Sequence, residues 1–269
     1  MLGRRALLCA LLALAADPAR GQGSLPIGLQ LYTVRRLLEQ DYEGTLARVA
    51  GLGYRTVEFA GLHPPSSARQ TLAMLKRHGL AAPSGHAGHE DLERDLARTL
   101  GAAGELEQQF IVCPWVDAGK LGTVDGWKRL AEHFNRIGEQ ARRAGLAFAY
   151  HNHDFEFWPV VGQAPYDILL AETDPALVYL EVDIYWMARA GRDPVSYFQK
   201  YPGRFPLLHL KDMDAKSVIA DVGSGTIDVR RILAHAGQAG TVHCFVEHDD
   251  PQDPLRSIER SLRNIRQLG

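Results

Sequence analysis

The stretch Gly145-Leu146-Ala147-Phe148-Ala149-Tyr150-His151-Asn152-His153-Asp154-Phe155-Glu156-Phe157 decides how this chain is read. Its first five residues form a short apolar run of the kind that makes a buried strand. Two imidazoles, an amide and two carboxylates then leave the end of that strand together. Residues two apart on a strand share a face, so His151 and His153 point the same way. Crowding polar groups at one buried strand end costs free energy unless something binds them, and a divalent metal is the obvious candidate. A plain polar loop explains the stretch equally well when it is taken alone. The recurrence of similar strand ends along the chain separates the two readings.

After Pro26 one grammar repeats: apolar run, polar loop, amphipathic helix, glycine, next apolar run. The runs predict strands over 27–32, 55–59, 80–86, 109–114, 145–149, 177–183, 205–211 and 242–247. Helices are predicted over 42–52, 67–78, 90–100, 125–144, 165–172, 194–200, 227–239 and 254–267. Strands alternating with helices imply parallel pairing through right-handed crossovers. Eight such units in a chain of 269 residues fit a single (β/α)8 TIM barrel of the α/β class, spanning 25–269. The rival doubly wound sheet would carry a glycine-rich phosphate loop after its first strand. Gln30-Leu31-Tyr32-Thr33-Val34-Arg35 is nothing like one.

The chain is 46% hydrophobic and 23% charged with a formal net charge of -2, and it has no basic run interleaved with aromatics, so nucleic acid is not an expected partner. Arg4 and Arg5 precede the apolar run from Ala6 to Ala16, too short to span a bilayer, with the small-x-small site Ala19-Arg20-Gly21 after it. Residues 1–21 therefore read as a signal peptide, and the mature protein as exported, periplasmic or extracellular, with no stable membrane anchor. Cys113 and Cys244 fall on strands at opposite sides of the barrel, too far apart to bridge, and are expected as free thiols.

Active sites of such barrels sit at the C-terminal ends of the strands. Those ends supply Glu58, His86, His151 with His153, Glu181 with Asp183, His209 with Lys211, and Glu247 followed by His248. Imidazole with carboxylate in an open shell suits Mn²⁺, Co²⁺, Zn²⁺ or Fe²⁺, and the lack of thiolates argues against a structural zinc site. His63, His78, His89, His133 and His235 fall in helices or loops and receive no role.

The whole stretch from Gly28-Leu29-Gln30-Leu31-Tyr32-Thr33 to the last helix resembles the xylose-isomerase-like TIM barrels. That family includes sugar-phosphate isomerases and epimerases, inosose dehydratases and AP endonucleases. The resemblance rests on Tyr150 to Phe157, Glu181-Val182-Asp183-Ile184-Tyr185-Trp186, Leu208-His209-Leu210-Lys211-Asp212-Met213, Gly223-Ser224-Gly225-Thr226-Ile227-Asp228 and Phe245-Val246-Glu247. It implies one divalent metal, Mn²⁺ first and Co²⁺ or Zn²⁺ next, held by Asp183, His209 and Glu247. The fourth place, a glutamate in many relatives, falls to His151, with His153 or Glu156 as alternatives. His151-Asn152-His153 is similar to the three-histidine run of inosose dehydratases, and Trp186 replaces a histidine of several relatives.

The chemistry so implied is proton abstraction next to a carbonyl of a keto-sugar or related polyol, by an isomerase or epimerase. A lyase or dehydratase acting on a keto-inositol or 3-keto-glycoside is the runner-up, and a non-catalytic carbohydrate-binding barrel the third possibility. Glu247 is the expected base, with His153 or Glu58 as the opposing acid. Lys211 either stabilises developing negative charge or pairs with Glu181. His86 is expected to touch substrate, and Trp115, Trp186 and Phe157 to wall the sugar ring. His243 is expected beside Glu247 as a supporting group. Gly223-Ser224-Gly225 reads as a tight loop rather than a phosphate site.

Overall fold

The computed structural model describes residues 25–61 and 67–268. The signal peptide expected over 1–21 and His63 lie outside the described residues. Eight parallel strands close into a barrel: β1 (Ile27–Gln30), β2 (Thr56–Phe59), β3 (Ala81–His86), β4 (Phe110–Cys113), β5 (Ala147–His151), β6 (Val178–Asp183), β7 (Leu207–Leu210) and β8 (His243–Val246). Each strand pairs with its sequence neighbours, and β8 pairs with β1 to complete the ring. The closed ring leaves no unpaired edge.

Alternation along the strands sorts the side chains into two cores. The outward set, with Phe148 and Tyr150, packs in one cluster with Trp127, Phe134 and Phe198 of the surrounding helices. The inward set is smaller: Phe110, Val112, Ala149, Leu207 and Phe245 make a separate apolar plug inside the barrel. Gly28 stands beside Phe245 on β1, where a Cβ would come within 2.6 Å of the Phe245 ring. The missing side chain gives that ring its space, and the inner plug forms the floor under everything polar above it.

Several boundaries differ from the periodic reading, each for a local reason. β1 stops at Gln30 because its side chain accepts a hydrogen bond from Tyr32 N, starting a 3-10 turn over Leu31–Val34. The helix expected over 90–100 is two, His89–Arg94 and Leu96–Glu105, with Asp95 between them capping the second through Arg98 N. That over 227–239 is likewise two, Val229–Ala234 and Ala236–Ala239. β7 ends at Leu210, and a small antiparallel hairpin of Asp212–Met213 with Ile219–Ala220 follows Lys211. The Asp212 carboxylate accepts from the backbone N–H groups of Gly223, Gly225 and Ile227, which pins the glycine loop. Cys113 and Cys244, on β4 and β8, are buried and free, as their places on opposite sides of the ring require. Among the described residues no helix is long and apolar enough to cross a membrane.

The long helix Val124–Arg143 sits close enough to the β6 lead-in that a Cβ on Gly138 would lie 2.3 Å from the Leu177 carbonyl oxygen. Helix propensity alone makes Gly→Ala favourable by about 1 kcal/mol. Overpacking against backbone costs about 1–3 kcal/mol and wins. Gly138→Ala is therefore expected to lower stability by up to about 2 kcal/mol in urea unfolding; a gain would show that the helix and the chain before β6 can separate freely.

Candidate functional site

The floor of apolar side chains ends where the inward positions turn polar. Gln30, Glu58, His86, His151, Glu181, Asp183 and His209 are the last inward residues of β1, β2, β3, β5, β6 and β7, and all are buried. Glu247 and Lys211 follow β8 and β7 directly and are buried as well. The parallel register sets Gln30 beside Glu58, His151 beside Glu181 and Asp183 beside His209.

His209 is the hub. Its Nε2 lies 2.5 Å from Glu58 Oε2 and 3.2 Å from Glu181 Oε2, and its Nδ1 lies 2.7 Å from Glu247 Oε2. His86 Nε2 lies 2.9 Å from Glu181 Oε2 and 3.4 Å from Glu58 Oε2. Gln30 donates to Glu58 Oε2 at 2.8 Å. His151 Nδ1 lies 3.2 Å from Glu181 Oε2, and its Nε2 3.9 Å from Asp183 Oδ2. Asp183 Oδ1 caps the helix Ile184–Arg189 by accepting from Tyr185 N and Trp186 N, which leaves Oδ2 for the interior. Lys211 Nζ stands 3.0 Å from Asp183 Oδ2, 3.0 Å from Glu247 Oε2 and 2.8 Å from Asp249 Oδ1. It does not pair with Glu181, the partner its sequence position suggested.

The charges shift one another strongly. Burial would favour neutral imidazoles, yet the Glu181, Glu247 and Glu58 carboxylates outweigh it and hold His209 well above the ordinary histidine range. The same competition, with Glu58 first among the opposing groups, raises His86 to about 9. Burial acts to raise Glu58, Glu181 and Glu247, but the facing cations prevail: Glu181 falls to about 2, and the other two are also held low. Asp183 is the exception, with burial lifting it to about 6 despite Lys211. Lys211 is held well above its usual range because three carboxylates overcome its burial.

Two overlapping donor groups emerge: Asp183, His209 and Glu247, and His86, His151, Glu181 and His209, the donor atoms of each lying within 4.8 Å of one another. Glu58 Oε1 and Glu181 Oε1 are buried without a hydrogen-bond partner. Carboxylates and imidazoles converging in this way, with oxygen atoms left over, fit a divalent cation of the Mn²⁺, Co²⁺ or Zn²⁺ type.

The other expected residues fall in different places. His153 lies beyond β5, its ring 5.1 Å from His151 and 5.2 Å from Trp186, with Nδ1 unpartnered. Burial, reinforced by the Lys211 charge, lowers it to about 3, so the ring is neutral at pH 7 and has no proton to give as an acid. Glu156 belongs to neither donor group; Tyr150 OH and His153 N donate to it, and burial raises it to about 8. Phe157 packs on Tyr166 and Tyr197 in the outer core and is not a wall of the mouth. Trp186 flanks Lys211, its ring centroid 5.7 Å from Nζ, whereas Trp115 after β4 is 51% exposed. His243 stacks on Phe245 at the opposite end of β8 from Glu247 and does not support it. His248 N donates to Thr33.

Gln30 and Asn152 had no role in the sequence reading and Asp249 was absent from it; Glu181 stood among the strand-end groups and as a possible partner for Lys211, but not among the four metal ligands. Asn152 holds the β6 end by accepting from Asp183 N. The period-two alternation that selected Asp183 also selects Glu181, and in β1 it selects Gln30. Asp249 lies outside any strand and carries no such signal.

Residues 46–268 match the family model described as the xylose isomerase-like TIM barrel. An inosose dehydratase from Lacticaseibacillus casei is 36% identical over 148 residues, covering 47% of this chain and 49% of that protein. One from Clostridium botulinum (strain Alaska E43 / Type E3) is 34% identical over 194 residues, covering 65% and 64%. The chain thus spans about half to two thirds of the length of these curated relatives. The crystal structure of a sugar phosphate isomerase/epimerase from Parabacteroides distasonis ATCC 8503 superposes with a TM-score of 0.79 at 27% identity, over 93% of this chain and 96% of that one.

A cation at this site must displace protons, because a metal-bound imidazole is neutral and His209 is protonated without it. Affinity for Mn²⁺ or Zn²⁺ is expected to rise from pH 6.5 to about 9, with proton release seen as a buffer-dependent enthalpy in calorimetry. An affinity flat over that range counts against the site. The raised imidazoles also shape stability without metal. Their contribution is full below 6.5 and is lost as pH rises through their folded values, about 9 for His86. The lowered carboxylates contribute above 4.5 and lose that contribution as pH falls toward about 2, the Glu181 value. The urea midpoint of metal-free protein should therefore peak between those limits and fall on both sides.

Proposed function

The chain belongs to the xylose isomerase-like TIM barrel family, and on that footing we propose that it is a divalent-metal-dependent sugar isomerase or epimerase. It removes a proton from the carbon next to the carbonyl of a keto-sugar or related polyol and returns one. The observation that carries this reading is the convergence of Asp183, His209 and Glu247, one donor atom of each lying within 4.8 Å of the others. His151, whose Nε2 faces Asp183 Oδ2, is the fourth ligand, and Mn²⁺ is the first choice of metal.

A bound divalent cation supplies Lewis-acid stabilisation of negative charge developing on substrate oxygen. The protein does the rest. Glu247 alone among the four carboxylates of the cluster retains exposed surface, 5% against 0% for Glu58, Glu181 and Asp183, so it is the base that substrate can reach. Lys211 holds it ionised but weakly basic. When the ammonium turns to a substrate oxygen, Glu247 loses that partner and gains basicity toward the operating pH. Trp186 beside Lys211 gives an apolar face to the ring, and His86 contacts a hydroxyl. The substrate is unphosphorylated: the N–H groups of Gly223 and Gly225, which could cradle a phosphate, already bind Asp212.

A dehydratase is the second reading, favoured by His151 standing where a second carboxylate base would be needed and by Lys211 lying 3.0 Å from Glu247. There Glu247 takes the proton from carbon while Lys211 protonates the departing hydroxide, which leaves as water. The inosose dehydratase relatives agree with it.

Solvent-deuterium incorporation across keto-sugars, keto-inositols and keto-glycosides with Mn²⁺, Co²⁺ or Zn²⁺ tests both. Exchange without water loss supports the first, and formation of an unsaturated carbonyl absorbing in the ultraviolet supports the second. Neither exchange nor loss of water with any of the compounds sinks both. Glu247→Gln should lower the exchange rate by about 10²–10⁴-fold while leaving the circular dichroism spectrum unchanged. Export, inferred from residues 1–21, places this chemistry outside the cytoplasm; N-terminal sequencing of the secreted protein should start near Gln22, and a chain retained intact in the cytoplasm would remove that inference.

A further inference from the structure

Away from the barrel mouth, His89 and Glu93 stand four residues apart on the helix His89–Arg94, so they share a face. That face meets the long helix Val124–Arg143 at His133. The rings of His89 and His133 approach edge to face with centroids 5.6 Å apart, and Phe134 closes a second side of His89 at 6.3 Å. His89 Nε2 is 3.8 Å from Glu93 Oε1. The Nε2 atoms of both histidines are buried, and neither has a hydrogen-bond partner. Two imidazole nitrogens withdrawn from water with nothing to bind are costly to keep.

We propose that His89, Glu93 and His133 form a zinc site that clamps the helix following β3 to the helix preceding β5. One donor atom from each residue lies within 4.8 Å of the others. Tetrahedral zinc with bonds of about 2.0–2.1 Å holds its ligands about 3.3 Å apart, so small side-chain rotations close the site. Two imidazoles and a carboxylate without thiolate suit Zn²⁺, with Cu²⁺ or Ni²⁺ as the competing occupants. Burial keeps His133 below the ordinary histidine range, so its ring is neutral and binds without first losing a proton. Glu93, half-exposed, supplies the one negative charge and leaves a position for water. The clamp shares no residue with the barrel-mouth cluster. It sits three residues after His86, so its occupation fixes the segment that carries that ring.

The test uses the full chain stripped by chelator and titrated with Zn²⁺ alone in a calorimeter. Wild type should bind one equivalent more than the double variant His89→Ala/His133→Ala, whatever the barrel mouth binds in both. Because the double variant can misfold, His133→Cys loaded with Co²⁺ gives an independent reading: a thiolate-to-cobalt charge-transfer band in the near ultraviolet that Co²⁺-loaded wild type lacks. Equal zinc stoichiometry in wild type and the double variant, or no thiolate band in the cysteine variant, overturns the site and leaves a pair of packed imidazoles. Neither readout depends on catalysis, so failure here says nothing against the enzymatic reading, and failure of that reading leaves this site untouched.

Discussion

The barrel mouth is organised by an excess of buried negative charge. Glu58, Glu181, Asp183 and Glu247 converge with a single ammonium, that of Lys211, among them. Each charge taken from water costs several kcal/mol unless it is paired and hydrogen-bonded. The structure meets that demand by drawing protons onto His209 and His86, which turns two neutral rings into counter-ions. The compensation is incomplete, since carboxylate oxygens of Glu58 and Glu181 remain unpartnered. A site that must borrow protons to limit its negative charge is one a dication suits, because a single ion does the work of both borrowed protons.

The floor beneath explains why these charges act so strongly. Phe110, Val112, Ala149, Leu207 and Phe245 exclude water from the barrel interior directly below the charged layer. Fields between charges fall off less in such a medium than in solvent, which helps to shift His86 so far from its usual range. The floor depends in turn on closure of the ring. β8 must reach β1 for Phe245 to lie beside Gly28, and only a residue without a side chain leaves that ring its space.

Much of this was legible in the sequence, for a definite reason. Strand and helix alternation, together with the clustering of His, Asp and Glu at strand ends, is a property of local order along the chain. It placed Asp183, His209 and Glu247 at neighbouring strand ends, and the fold brings one donor atom of each within 4.8 Å of the others. What escaped depends on three-dimensional company. Phe157 and His153 belong to the same motif, yet the chain leaves β5 at His151, after which alternation no longer says where a side chain points. The Phe157 ring turns to the outer core, and the His153 ring stays by the mouth as a neutral group. Glu181 was one of the two expectations for Lys211 on strand position, but β7 ends one residue earlier, and the ammonium reaches Asp249 in a loop instead.

Lys211 shows how the demands of folding and of chemistry meet in one group. Its ammonium touches Asp183 Oδ2 and Glu247 Oε2, both oxygens of the donor set a metal would use. Without a cation it is the tie that lets those two acids lie so close. With a cation sharing their charge, the tie is partly redundant, and the ammonium becomes free to turn toward substrate while Asp249 holds it near. Buried polar networks of this kind are costly when half satisfied. The residual dissatisfaction here falls on carboxylate oxygens of Glu58 and Glu181, two members of the charged layer itself. The same charges that burden the fold are thus those that suit its mouth to a cation.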